Sequence, residues 1–217
     1  NLTSEYFGEI YIKNKKKFNI IYKLFIDRIS YFLNDLGINI NTIPVLDLRY
    51  KGSSNIIGDR SFSSDPKVVS KIGDLCIKYF KTNSIGTVIK HIPGHGLAKV
   101  DSHHFTPTIN KDFNYLKKRD FKTFKSKSSL FAMTAHVIFK KIDPDNTVTH
   151  SKKMIGIIRN KIKFKNLIIS DDLSMKSLKF SIIENTKKAF NAGCNLALHC
   201  NGNLKEMTFV AENSPKV

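Results

Sequence analysis

Five short apolar runs alternate with segments of helical period, and this order is what most constrains the fold of the chain. The runs occupy residues 38–48, 85–90, 130–137, 167–170 and 195–200, each about the length of a buried strand. Between them, residues 18–36 place Ile21, Leu24, Phe25, Ile29, Phe32 and Leu33 on one predicted face, with Gly37 suited to the C-terminal cap. Asp65-Pro66 reads as an N-cap followed by proline at the first helical position, ahead of a stripe of Val69, Ile72, Cys76, Tyr79 and Phe80. Residues 112–124, 151–162 and 182–191 repeat the helical pattern, the last running into Gly193. Such alternation predicts parallel βαβ units.

The polar residues fall at one end of these runs. Asp47 and Arg49 follow the first, Lys90 and His91 close the second, and His136 closes the third. Asp171 and Asp172 close the fourth, and Asn201 follows the fifth. A (β/α)8 barrel collects its site from the C-terminal ends of its strands. An open doubly wound sheet does so only near its switch point, and neither G-x-G-x-x-G nor a P-loop is present. Five strands do not close an eight-stranded barrel, so the expectation is an α/β chain forming part of one, a single domain over residues 1–217.

Composition narrows the classes. With 217 residues, 41% of them hydrophobic, the chain has the material for a core, and no apolar run is long enough to cross a bilayer. Residue 1 is Asn and no signal-peptide pattern follows, so the N-terminus says nothing of location. Cys76, Cys194 and Cys200 are odd in number and form no C-x-x-C pair, the pattern of small buried side chains in a reducing compartment. The formal charge of +18 is spread along the chain and carried mostly by lysine. Nucleic-acid sites favour arginine and clustered aromatics, so no nucleic-acid partner is expected. Lys15-Lys16-Lys17 reads as a solvated face.

One loop concentrates chemistry: Lys90-His91-Ile92-Pro93-Gly94-His95-Gly96, then Asp101-Ser102-His103. Proline and glycine fix its backbone at the surface. His91 and His95 have the separation of a helical zinc pair. With His103 and Asp101 they leave a metal-dependent hydrolase as one alternative. Against it, Pro93 and Gly94 do not suit the helix such a pair needs, and its general-base Glu is absent.

These motifs resemble glycoside hydrolase family 3, in particular its bacterial β-N-acetylhexosaminidases of peptidoglycan recycling. The matching pieces, in family order, begin with Ile43-Pro44-Val45-Leu46-Asp47, Ile57-Gly58-Asp59-Arg60-Ser61-Phe62 and the 90–96 loop. Asp101-Ser102-His103, Ala135-His136-Val137, Ile169-Ser170-Asp171-Asp172-Leu173-Ser174-Met175 and Ala192-Gly193-Cys194 complete them. The match covers residues 38–201. Family members carry a preceding acidic, glycine-rich sugar-binding segment that nothing in residues 1–37 matches, so the first strands of the barrel are expected to be missing.

The resemblance implies a retaining hydrolase that removes terminal β-linked N-acetylglucosamine from muropeptides, without metal or other cofactor. It implies a cytoplasmic protein, and a monomer is expected. By resemblance Asp171 is the nucleophile, while the Asp171-Asp172 pair also suits a helix N-cap, with Asp172 capping as Asp171 attacks. His103 is implied as acid/base with Asp101 as its partner, a carboxylate that sets the tautomer and basicity of the ring. His104 is read as its neighbour. Lys90, His91 and Arg60 match substrate-binding residues, though Arg60 equally suits an ion pair with Asp59 or Asp65. His95 is expected to order the loop. His136 either lines the pocket or bonds within the barrel. A barrel remnant that keeps the motifs without turnover is the second alternative, and a basic nucleic-acid binder the third.

Overall fold

Helix starts are written in the side chains that cap them. The computed structural model describes residues 2–100 and 105–216. It opens with two helices, α1 (Ser4–Lys13) and α2 (Lys15–Asp35). The Thr3 hydroxyl accepts from Tyr6 N–H and Asn14 Oδ1 from Lys17 N–H, so a first-turn donor of each helix is satisfied by a polar side chain. Strand β1 (Ile40–Asn41) follows, then α3 (Pro66–Thr82), which Asp65 caps ahead of Pro66 as the sequence predicts.

The chain continues through β2 (Gly86–Ile92), β3 (Thr108–Ile109), α4 (Phe113–Lys118) and α5 (Asp120–Phe124). Then come β4 (Phe131–Thr134), β5 (Ile138–Phe139), α6 (Lys152–Asn160) and β6 (Leu167–Asp172). Helix α7 (Ile182–Ala192), β7 (Leu196–Leu198) and α8 (Leu204–Glu212) complete it. Ser151, Ser181 and Asn203 cap α6, α7 and α8.

The main sheet has the order β1-β2-β4-β6-β7, and all its pairings are parallel. Each neighbour is the next strand of this sheet in the chain. This singly wound, curled arrangement is a partial (β/α)8 barrel. Strands β3 and β5 form a separate parallel pair from the segments that follow β2 and β4. The core lies between sheet and helices, where Ile89, Ile92, Ala132 and Ile168 meet Val69, Ile72, Cys76, Phe80, Met154 and Ile158. Lys127 ties the 127 segment to α3, its ammonium donating to Ser70 O, Ser70 Oγ and Asp74 Oδ1 at 2.8–2.9 Å. Among the described residues no helix is long and apolar enough to cross a membrane.

Several expectations need correction. In α2 the buried line is Phe18, Tyr22, Ile26 and Ser30, while Leu24 and Phe32 are exposed. Packing chose the aromatic line: Phe7 of α1 lies 4.8 Å from both Tyr22 and Phe25, ring centre to ring centre. Residues 112–124 form two helices, broken at Arg119 with φ −120° and ψ −90°. The run 38–48 pairs as a strand only at Ile40–Asn41, with a bridge from Val45 to Lys90. Pro44 lies between and has no N–H to give the ladder.

Gly8 shows how closely α1 approaches the chain. A Cβ there would lie 1.7 Å from Phe62 O. Helix propensity favours Ala over Gly by about 1 kcal/mol, but the helix cannot stay seated with that contact. Gly8→Ala is therefore expected to destabilise the fold by about 1–3 kcal/mol in urea unfolding. A gain in stability would show that α1 is free to shift.

Candidate active site

The C-terminal end of β2 is held by one buried carboxylate. Asp47 is 1% exposed. Its Oδ2 accepts from His91 N–H at 3.1 Å and from His91 Nδ1 at 2.7 Å, and its Oδ1 accepts from His95 N–H at 2.6 Å. A carboxylate only accepts, so the His91 proton sits on Nδ1 and Nε2 is the ring nitrogen left for a ligand. Burial pushes the Asp47 carboxyl up, but the charge and hydrogen bond of His91, with His95 beyond, outweigh it and hold the group below its usual range.

The loop beyond is packed backbone to backbone. A Cβ at Gly96 would lie 2.1 Å from Leu48 O, and one at Gly94, where φ is +140°, would lie 2.7 Å from Asp120 Cβ. Asp120 is buried; its Oδ2 accepts from Tyr50 O–H at 2.9 Å, and Tyr50 Oη accepts from Arg119 Nε–H at 3.1 Å. Burial pushes the Asp120 carboxyl up to about 6.

Asp171 stands at the end of β6, two strands from β2. Its Oδ1 accepts from Asp172 N–H at 2.8 Å. Burial pushes this carboxyl up; His91, His136, that N–H and Lys90 together bring it below the usual carboxylate range. Lys90 is lowered, by burial first and by the nearby Arg60 charge, with Asp171 and Asp47 opposing. The site thus gathers an ionised carboxylate and cationic groups from separate strands, the combination that binds and attacks a polar, electrophilic substrate.

Arg60 and Lys90 line one cavity of about 420 Å³ with Thr42, Pro44, Tyr22 and Phe25. Asp171 is not among its lining residues. Arg60 Nη1 donates to Ile56 O at 3.1 Å, and among the described residues it makes no ion pair with Asp59 or Asp65. His95 orders the loop through its N–H, as expected. His91 and His95 do not share a helix: one ends β2, the other sits in the turn beyond it. Among the described residues no three His, Cys, Asp or Glu side chains gather as a metal site.

His136 bonds within the barrel, to Thr149 and to the carbonyl of Asp172. Asp172 caps a turn, not a helix, accepting from Ser174 N–H and O–H. Asp101 and His103, with His104, lie outside the described residues. Sequence reasoning placed Asp47 at a strand end without naming its partners, missed Asp120 and Tyr50, and read Cys200 as a small buried side chain, which the structure corrects. Cys200 is exposed with its N–H on Asp172 Oδ1, because it lies past the end of β7; partial burial first, then the Asp172 and Asp171 carboxylates, raise its thiol. Of these only Asp47, by its strand-end position, carried a signal.

Comparison with known proteins agrees with this arrangement. Residues 17–214 match the N-terminal domain of glycosyl hydrolase family 3, and the chain belongs to that family. It is 34% identical over 174 residues to a β-hexosaminidase of Nitrosomonas eutropha, covering 78% of this chain and 50% of that protein. The fold is similar to a family 3 β-N-acetylglucosaminidase from a Paenibacillus species, with TM-score 0.80, 27% identity, and 85% of this chain against 36% of that one. NagZ of Neisseria gonorrhoeae in complex with N-trifluoroacetyl-D-glucosamine superposes with TM-score 0.84 at 28% identity, over 97% of this chain and 60% of that one. The chain spans about half the length of the curated relative it matches.

Two outcomes are expected. Asp47→Ala strands two backbone N–H groups and a buried ring nitrogen, so it should cost about 3–5 kcal/mol in urea unfolding. A loss below about 1 kcal/mol, the worth of one ordinary hydrogen bond, would mean the loop is held otherwise. The second concerns acid. His95 and His150 are each lowered to about 4, chiefly by burial, against about 6.5 when unfolded. The unfolded chain therefore binds more protons between those values, and stability falls as pH drops from about 6.5 toward 4. Asp120, raised to about 6, acts in the opposite sense over part of that window but is one group against two. Urea midpoints at pH 7 and pH 5 check this; a higher midpoint at pH 5 would refute it.

Proposed function

We propose that this chain carries the catalytic half-site of a retaining β-N-acetylglucosaminidase acting on terminal β-linked N-acetylglucosamine of cell-wall muropeptides. The observation that carries the reading is Asp171. It is a partly enclosed carboxylate at a strand end; burial raises it, but the His91 and His136 rings, the Asp172 N–H and Lys90 outweigh that and keep it ionised, as a glycosidase nucleophile must be.

In the proposed reaction an Asp171 carboxylate oxygen attacks the anomeric carbon as the bond to the leaving oxygen breaks. His103 gives its proton to that oxygen, with Asp101 orienting the ring. Water then attacks the same carbon, His103 takes its proton, and the Asp171 ester opens, so the sugar leaves with its configuration retained. Histidine in this role is an imidazolium when it gives the proton and a neutral ring when it takes one back, and in neither state does it repel Asp171 as a second carboxylate would. Lys90, His91 and Arg60 bind sugar hydroxyls and the N-acetyl group. The reading includes a cytoplasmic monomer with no metal or other cofactor. A second reading, a barrel part that keeps these residues without turnover, is favoured by the edges of the five-stranded sheet: among the described residues β1 and β7 each pair on one side only. An open edge leaves the barrel interior less filled.

Hydrolysis of an aryl β-N-acetylglucosaminide decides between them. Turnover by the unmodified chain that Asp171→Ala abolishes supports the hydrolase. Undiminished turnover in Asp171→Ala, or none in the unmodified chain, counts against it. His103→Ala should lose least on substrates with very acidic leaving groups, which need little protonation; equal losses on all substrates would remove its acid role.

A further inference from the structure

Asp172 uses every polar group it owns to hold something beside Asp171. Its N–H donates to Asp171 Oδ1 at 2.8 Å. Its Oδ1 accepts from Ser174 N–H at 3.0 Å and Cys200 N–H at 3.1 Å, and its Oδ2 accepts from Ser174 O–H at 2.7 Å. Its carbonyl accepts from His136 Nε2 at 3.0 Å and from Met175 N–H at 3.2 Å. One residue thereby joins the end of β6, the turn after it, the segment after β7 and the segment after β4.

The His136 end of this assembly has a definite direction. The ring is fully buried, and a carbonyl oxygen only accepts, so Nε2 carries the proton. Burial disfavours the charged ring, although Asp171 and the Asp172 carbonyl pull the other way. In the neutral ring Nδ1 is an acceptor. Thr149 O–H therefore donates to it at 2.7 Å, and Thr134 O–H donates to Thr149 Oγ1 at 2.8 Å. The chain Thr134, Thr149, His136, Asp172 leaves none of these bonds without its donor, the condition under which a buried polar network stiffens its surroundings.

We propose that Asp172 and His136 are positioning residues for Asp171: they fix the peptide planes on both sides of residue 172, aim the Asp171 carboxylate, and leave its Oδ2 as the attacking oxygen. This rests on Asp171 being the nucleophile, as proposed above. Neither residue gives or takes a proton in the reaction; both act through geometry. A reacting oxygen displaced by about 1 Å costs about a hundredfold in rate, which sets the scale of the effect.

Nitrogen-resolved NMR of the His136 ring in the unmodified chain comes first. A neutral ring protonated on Nε2 at pH 7 is expected; protonation on Nδ1, or a charged ring, overturns the proposal. In turnover of aryl N-acetylglucosaminides, Asp172→Ala should lower kcat about a hundredfold with KM unchanged, and equally for good and poor leaving groups. Asp172→Asn keeps an acceptor for Ser174 and Cys200 and should restore most of the rate. His136→Gln, which keeps an N–H for the carbonyl, should likewise exceed His136→Leu. Thermal melts confirm that each variant is folded. An unchanged kcat in folded Asp172→Ala, or no advantage of Asn over Ala, overturns the assignment. If the unmodified chain turns nothing over, the hydrolase reading fails, and the cradle is decided by NMR alone: the residue 172 amide proton should lie downfield and move in His136→Leu, and an unmoved amide refutes it.

Discussion

The carboxylate of Asp47 is the interaction on which the rest of the site depends. It sits almost entirely out of water, where an uncompensated charge is not tolerated. Compensation comes from the very loop that carries Lys90 and His91. Folding therefore cannot bury Asp47 without also bending the loop into place and setting the His91 tautomer. The two events are one, because the same hydrogen bonds perform both.

A similar economy governs the end of β6. Asp171 is fixed less by its own contacts than by those of the residue after it, and those contacts run to neighbouring strands on both sides. A barrel of parallel strands suits this design. Adjacent strand ends lie about 4.8 Å apart, within reach of a single side chain, so a polar residue at one strand end can brace the next. Asp47 does this between the segment after β1 and the end of β2, and Asp172 between β6 and its neighbours.

Much of this was legible in the sequence. Alternating strand-like and helical periods predicted the parallel sheet, and Asp65-Pro66, Ser151 and Gly193 marked helix boundaries that the structure retains. Asp171, Lys90 and His91 were legible as strand-end residues within ordered motifs. What was not legible depends on packing. The buried face of α2 was decided by aromatic contacts with α1, which no period in α2 alone reveals. The 112–124 segment has a helical pattern throughout, yet turns sharply at Arg119, whose guanidinium reaches Tyr50 from the loop after Asp47. The braces on Asp47 and Asp172 are contacts across tens of residues, partly to backbone N–H groups, and backbone donors leave no mark on sequence.

That last point bears on how such a site can vary. Two of the three donors to Asp47 are main-chain N–H groups, of His91 and His95, so these bonds are indifferent to which side chain follows the Cα. The His95 side chain is held separately: its ring is buried and lies 5.5 Å from the His91 ring, centre to centre. The glycines at 94 and 96 are fixed by space, since the room a side chain would need is occupied by Asp120 and by Leu48. The loop's shape is thus encoded in a few letters, one acid and two absences of a side chain, and its curvature is a property of the main chain they hold.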